Sequence, residues 1–305
     1  MVHVNEIRKY LCEMGLEVCY YGKEDLQISG FSSISELKNG SVTWLRRYNK
    51  SYTEALKSCS ELLLVTTQEA YEQLKGLNIL VTDRPKMCFF EIVKRFFTSK
   101  EESKISACAV IKTDRIGKNV SIGDYCSIGK DVVIGDNVVI KNHVQIEGPV
   151  VIEDNCTISS GVVIGSDGFG YYRGIDGNNA QVPHVGGVHI ARNVDIGANT
   201  CIDRGTIANT VIGPYTKIDN LCHIGHNVKI GRNVFIIALS MIGGSAILED
   251  EAYVAPGAKI MNQIHVGKNA FVGMGAVVIK DVGENDVVTG VPAQVIRKRR
   301  DDDRE

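Results

Sequence analysis

From Ile116 onward a branched aliphatic residue returns at every sixth position, and few folds can accommodate so long a register. The hexads IGKNVS, IGDYCS, IGKDVV and IGDNVV open at Ile116, Ile122, Ile128 and Ile134, and the phase holds through Ile140, Ile146, Ile152 and Ile158 to Ile164. It breaks there, resumes at Ile190, Ile196 and Ile202, and slips by four residues. It then runs from Ile212 through Ile218, Ile224, Ile230, Ile236, Ile242, Leu248, Val254, Ile260 and Val266 to Val272. The fifth place of the hexads is small, as at Val120, Cys126, Val132, Val138, Thr200, Thr216, Cys222, Val228, Ser240, Ala246, Ala258 and Ala276.

A period of six fits neither the 3.6-residue turn of a helix nor the two-residue alternation of a hairpin sheet. It fits a parallel β-helix in which each hexad forms one side of a triangular coil, so that three hexads close a coil and residues eighteen apart stack. The aliphatic residue and the small one behind it point inward, and stability comes from stacking because one coil cannot bury its own apolar edge. The expected fold is therefore mainly β, a parallel β-helix over 104–281, with a small α/β domain over 1–97 and a tail over 282–305 that ends in the solvated run DDDRE. TSKEESK is the expected linker.

The 34 basic and 36 acidic residues nearly cancel, so a nucleic-acid partner held by a general basic surface is not expected. No apolar run is long enough to cross a bilayer. MVHVNEIRKYLCEMG reads as an amphipathic helix with Val4, Ile7 and Leu11 on one face rather than a secretion signal, so the expected compartment is the cytoplasm. Among the nine cysteines there is no CxxC pair, and Cys126, Cys156 and Cys222 fall in the small inward slot as packing residues.

Residues 1–97 lack the hexads. They read as a first helix, an extended LQISGFSSI, a helical SYTEALKSC, strands LLLV and NILV flanking AYEQLKG, and a helix KMCFFEIVKRFF with Phe89, Ile92, Val93 and Phe96 at helical spacing. Between a strand and a helix, Trp44, Arg46, Arg47, Tyr48, Asn49 and Tyr52 gather in one loop. Such a set can stack a nucleobase and hold a phosphate, or its rings can simply pack beneath the loop.

Inside the solenoid the breaks locate two insertions. GSDGFGYYRGIDGNNAQVPHVGG lies between Ile164 and Ile190, and IDRGTIANT follows at Ile202. A rigid scaffold that throws out a glycine-rich, aromatic and acidic loop commonly carries binding groups on it. The register also aligns a column. His226 and Gly244 both occupy the outward third place of their hexads, eighteen residues apart, and so stand at one corner in successive coils, about 4.8 Å apart. Arg204 precedes them in the column, and Asn262 follows with Gln263 beside it. A neutral imidazole poised as a general base next to an unobstructed glycine N–H suits attack on a carbonyl. His184 and His189, five apart, raise the rival of a zinc site, but no third histidine is fixed by the register and no metal is expected.

SDGFGYY from Ser166, VDIGANTCIDRGT from Val194 and KIDNLCHIGHNVKIG from Lys217 resemble the signature runs of the UDP-3-O-acylglucosamine N-acyltransferases of lipid A synthesis. ISGFSSISELKNGSVTWL, NKSY and VTDRPKMCFFEIV resemble that family's uridine-binding domain, so the likeness spans nearly the whole chain. The resemblance implies a left-handed β-helix, a homotrimer, and transfer of an acyl group from a carrier-protein thioester to the 2-amine of a UDP-linked glucosamine, with no resident cofactor. It makes His226 the catalytic base and Gly244 the oxyanion donor. Asn49 and Tyr52 match the uridine pair, with Trp44 or Tyr48 as the stacking ring. Asp219 and Asn220, in the IDN run, are further substrate-binding candidates, as is Gln263 where the family has a second histidine. Two departures stand out: the run after the catalytic coil reads FIIALSMIGGS, and GVPAQVIRKRR resembles the end of acetyltransferases that use coenzyme A. The alternative is accordingly an acetyl-CoA-dependent nucleotide-amino-sugar N-acetyltransferase, with Arg297, Lys298, Arg299 and Arg300 available for the coenzyme's phosphates.

Overall fold

Each hexad folds as a strand of two or three residues and a turn, and strands three hexads apart pair in parallel. In the computed structural model, which describes residues 1–98 and 103–300, these strands form three sheets of nine, seven and ten strands along the sides of a prism. Ile128 pairs with Ile146, and Ile224 with Ile242, at the eighteen-residue spacing. The aliphatic column and the small fifth-place column are together buried from Val120 to Val278 as one core. Cys126, Cys156 and Cys222 are buried within it, where burial pushes each thiol above its ordinary pKa.

What bends the chain at each corner is a feature the hexad reading left out. The fourth place of the hexad adopts a left-handed backbone, as at Asn119, Asn137, Asn155, Asn193, Asn227 and Asn233, with φ between 55° and 61°. Asparagine tolerates this region better than other non-glycine residues. At one edge the asparagines also bond to each other in a ladder, Asn119 to Asn137 and Asn137 to Asn155 at 3.2 Å.

The core passes both phase breaks intact. Ile164 pairs with Ile202 across the long insertion, and Ile202 pairs with Ile224 across the four-residue slip, so both insertions are expelled at corners. The long one carries a hairpin of its own, Tyr171–Arg173 against Asn179–Gln181.

The expected tail needs correction. Asp286–Thr289 adds in parallel to Phe271–Val272, and Gln294–Lys298 turns back antiparallel on it, so the prism continues beyond residue 281. An open coil end would expose its apolar edge, and Val282, Val287 and Val288 close it. Lys298 Nζ pairs with Asp286 at 2.7 Å, and the Arg299 guanidinium lies over the Tyr253 and Phe271 rings. The DDDRE run lies outside the described residues, as does most of the TSKEESK linker.

The chain divides between residues 101 and 102. The first unit is a five-stranded sheet in the order Cys19–Tyr21, Asn78–Val81, Leu63–Thr66, Ser41–Leu45, Gly30–Phe31, with only the first strand antiparallel. The helices Val4–Glu13 and Pro85–Phe96 cover one face through Ile7, Leu11, Phe89 and Ile92, while Leu56 and Leu74 cover the other. The first helix is capped by His3, and Val4, Ile7 and Leu11 are its buried face, as its sequence predicts.

Candidate active site

The column read from the register exists. Ser245 N–H donates to the His226 carbonyl at 2.8 Å and Gln263 N–H to the Gly244 carbonyl at 2.9 Å, so successive coils stack at this corner. The closeness is set by glycine. A Cβ on Gly244 would stand 2.8 Å from Cε1 and Nε2 of His226, so the imidazole lies directly on the glycine backbone. Its φ is not in the left-handed region, so glycine is needed there for space alone.

The N–H groups at this corner are also unusual. Elsewhere a side-chain oxygen of the next coil commonly caps the third-place N–H: Asp136 accepts from Lys118, Asn142 from Asp124, Asp154 from Asp136 and Asp250 from Arg232, at 2.7–2.9 Å. Among the described residues nothing accepts from the N–H of Gly244. A backbone donor left open beside an imidazole is a ready oxyanion site.

The long insertion folds back over the imidazole. A Cβ on Gly168 would come within 2.7 Å of His226 Cδ2, so the ring is held between two glycines. His184, from the same insertion, meets it edge to face with ring centroids 5.3 Å apart. His184 is 5% exposed; its Nδ1 donates to the Val182 carbonyl at 2.8 Å, and its Nε2 is buried without a partner. Burial, then the neighbouring His184 and His223, hold the His226 pKa below its ordinary value, so the ring stays neutral. His226 Nδ1 meets Asn227 Nδ2 at 2.9 Å.

Beside this corner lies a carboxylate absent from the sequence reading. Asp203 is 6% exposed, and its Oδ2 is 3.6 Å from His223 Nε2. Burial raises its pKa against the lowering influence of His223 and His184. Arg204 reaches Asp167 at 3.5 Å and the Gly148 carbonyl. The spacing rule that exposed the His226 column could not find His184 or Gly168 as its neighbours, because the insertion that carries them has no register; Asp203 lies within the register beside Ile202, but spacing alone does not show its burial.

Other candidates lie elsewhere. Asp219 and Asn220 stand at the next corner, across the strand His223–Ile224, and are used in its turn: Asp219 Oδ2 accepts from Ala238 N–H at 3.2 Å and Asn220 Oδ1 from Ala198 N–H at 2.6 Å. Gln263 occupies an exposed left-handed corner one coil after Gly244. His265 turns to Glu249 at 3.0 Å, and His189 to Glu153 at 2.9 Å, so His184 and His189 take separate partners. Two of the basic residues proposed for coenzyme phosphates are engaged with their own prism: Lys298 on Asp286, and Arg299 on two rings and on the carbonyls of Glu251 and Asn269.

In the first unit Trp44, Tyr48, Asn49 and Tyr52 do come together. They line a cavity of about 1070 Å³ with Phe31, Phe89 and Phe90, and Arg46, Arg47 and Lys50 also border it. The rings pack in part beneath the loop. Trp44 packs toward Phe89 at 6.5 Å and Tyr52 against the Leu56 cluster, yet both also line the cavity. Asn49 has a structural duty, since its Oδ1 caps the short helix Lys50–Tyr52 by accepting from Ser51 N–H at 3.0 Å.

Comparison with known proteins agrees with this fold. The protein-family model for the bacterial transferase hexapeptide (six repeats) matches residues 115–148 and 209–244. A UDP-3-O-acylglucosamine N-acyltransferase of Methylacidiphilum infernorum is 43% identical over 74% of this chain and 70% of its own length. UDP-3-O-acylglucosamine N-acyltransferase 2 of Legionella pneumophila is 40% identical over 90% of this chain and 85% of its own. Among solved structures, a UDP-N-acetylglucosamine acyltransferase from Campylobacter jejuni superposes with a TM-score of 0.58 at 25% identity, over 64% of this chain and 75% of its own. The prism is thus a left-handed parallel β-helix of hexapeptide repeats. Relatives this similar over this much of both chains establish that the chain belongs to the family of UDP-3-O-acylglucosamine N-acyltransferases.

Proposed function

We propose that this protein transfers an acyl group from an acyl-carrier-protein thioester to the 2-amine of a UDP-linked 3-O-acylglucosamine, a step of lipid A synthesis. The observation that carries this reading is the neutral imidazole of His226 lying on Gly244, whose N–H is open. The amine nitrogen attacks the thioester carbonyl carbon, and the oxygen that gains charge is held by the Gly244 N–H. His226 takes the amine proton; the C–S bond then breaks and the proton passes to the leaving sulfur. The aromatic cavity of the first unit holds the uridine, with Asn49 and Tyr52 on the base and Trp44 or Tyr48 stacked on it. Asp219, Asn220 and Gln263 contact the substrate away from the reacting atoms.

In this reading the enzyme works as a cytoplasmic homotrimer with no resident cofactor. A convex corner of one prism cannot exclude water from a tetrahedral intermediate or enclose an acyl chain, and a neighbouring prism can do both. Among the described residues no helix is long and apolar enough to cross a membrane. The engagement of the C-terminal cations with their own strands supports a carrier-protein donor over coenzyme A.

The test is a donor comparison on UDP-3-O-acylglucosamine. A hydroxyacyl carrier protein should be used and acetyl-CoA should not, and His226→Ala should lower kcat by ~10²–10⁴ with KM for the acceptor little changed. Turnover with acetyl-CoA alone would replace this reading with the acetyltransferase one.

A further inference from the structure

The four-residue slip after Ile202 adds nothing to the core, since Ile202 pairs with Ile224 as if it were not there. What it brings is Thr206, which together with Thr210 of the strand Thr210–Ile212 holds Asn227, the residue after His226. Thr206 N–H donates to Asn227 Oδ1 at 2.7 Å, Asn227 Nδ2 donates to Thr206 Oγ1 at 3.0 Å, and Asn227 N–H donates to Thr210 Oγ1 at 2.9 Å. An amide oxygen that accepts a backbone N–H fixes which end of the carboxamide is nitrogen. The group that meets His226 Nδ1 at 2.9 Å is therefore a donor. A neutral imidazole has one donor and one acceptor nitrogen, so Nδ1 accepts and the ring proton sits on Nε2.

We propose that Asn227 is a positioning residue that sets the tautomer of His226, holding the ring proton on Nε2 in the free enzyme, with the slip residue Thr206 as its anchor. Nε2 is the nitrogen that lies on Gly244, so at rest this corner presents an N–H where the reaction needs a lone pair. The base forms when the Asn227 carboxamide turns over and offers Oδ1 to Nδ1. That turn gives up the Thr206 N–H bond; the proton on Nε2 leaves to solvent and one from solvent settles on Nδ1, with no net change. The other titratable or charged groups around the ring are His184 from the insertion, His223 on the strand just before it and Arg204 one coil earlier, with Asp203 on His223 and Asp167 on Arg204. None of them is hydrogen-bonded to Nδ1.

The inference draws its catalytic meaning from the acyltransfer reading, but its first test does not depend on it. Magic-angle-spinning NMR of ¹⁵N-histidine-labelled protein at pH 8 without substrate should show His226 with a protonated Nε2 and a bare Nδ1, the resonances being assigned by their loss in His226→Gln. A protonated Nδ1 would overturn the proposal. Asn227→Asp puts a carboxylate oxygen on Nδ1, which favours the imidazolium, so the acid limb of kcat/KM should rise by about one unit or more. Asn227→Gly keeps the left-handed corner at φ 61° and should lower kcat by about a hundredfold with KM within twofold. Two variants with the pH profile and kcat of the natural enzyme would also overturn it. Undiminished activity in His226→Ala would instead move the base to another group and leave the tautomer standing.

Discussion

At Gly244 one missing atom serves two needs. A side chain there would collide with Cε1 and Nε2 of His226, and it would crowd the N–H that is free to meet an oxyanion. Gly244→Ala should lower kcat by about 10²-fold or more while leaving the thermal midpoint nearly unchanged, because the third hexad place faces outward and its φ suits alanine. A kinetic assay beside a melting curve separates the two effects. The pH dependence follows from the same contacts. Burial, His184 and His223 disfavour the imidazolium of His226, so its base form persists to lower pH than that of a free imidazole. The acid limb of kcat/KM should fall below pH 6.5, the ordinary value. A limb at or above that value would mean that a group other than His226 titrates.

Among the elements, the corners separate what the sequence discloses from what it conceals. Most left-handed corners carry asparagine or glycine, but Leu221 and Leu239 occupy them in adjacent coils with φ 58° and 65°, and both are exposed. Leucine pays roughly 1–2 kcal/mol for that backbone and gains no burial from it within the chain. Leu239→Asn should therefore raise the thermal midpoint by about 2–4 °C, while slowing long-chain acyl donors more than short ones if these leucines line the acyl path. Equal rates for both chain lengths would detach the leucines from the donor. The prism, its coil length and the His226 column were legible because inward residues repeat at a fixed spacing, and spacing alone assigns a side chain to a face. The insertion over Ser166–Gly187 has no such rule. His184 could be seen as a histidine five residues from another, but not as the neighbour of His226, and the capping strands after residue 281 carry no hexad phase to announce them. Asn227 was hidden for the opposite reason: its asparagine is what any corner would take, and its second duty appears only through Thr206.

At the scale of the whole molecule, the chain is two units, each with its own core. The aromatic cavity belongs entirely to the first, and the imidazole on its glycine entirely to the second. Recognition and chemistry can therefore be damaged separately. Trp44 is the only tryptophan in the sequence and lines the cavity, so its fluorescence reports occupancy directly. UDP should change that emission equally in the natural protein and in His226→Ala. Tyr52→Ala should weaken UDP by ~1–3 kcal/mol, the worth of one stacked base, and should leave the melting of the prism in place because Tyr52 lies outside its core. The same substitution should raise the acceptor KM far more than it lowers kcat, since in a UDP-linked sugar the diphosphate separates the uridine from the amine, and a contact to the base would contribute uniform binding. If UDP neither alters Trp44 emission nor releases heat on titration into the intact protein, the cavity is not the nucleotide site, and the acceptor assignment falls with it while the chemistry at His226 remains open to test with simpler amines.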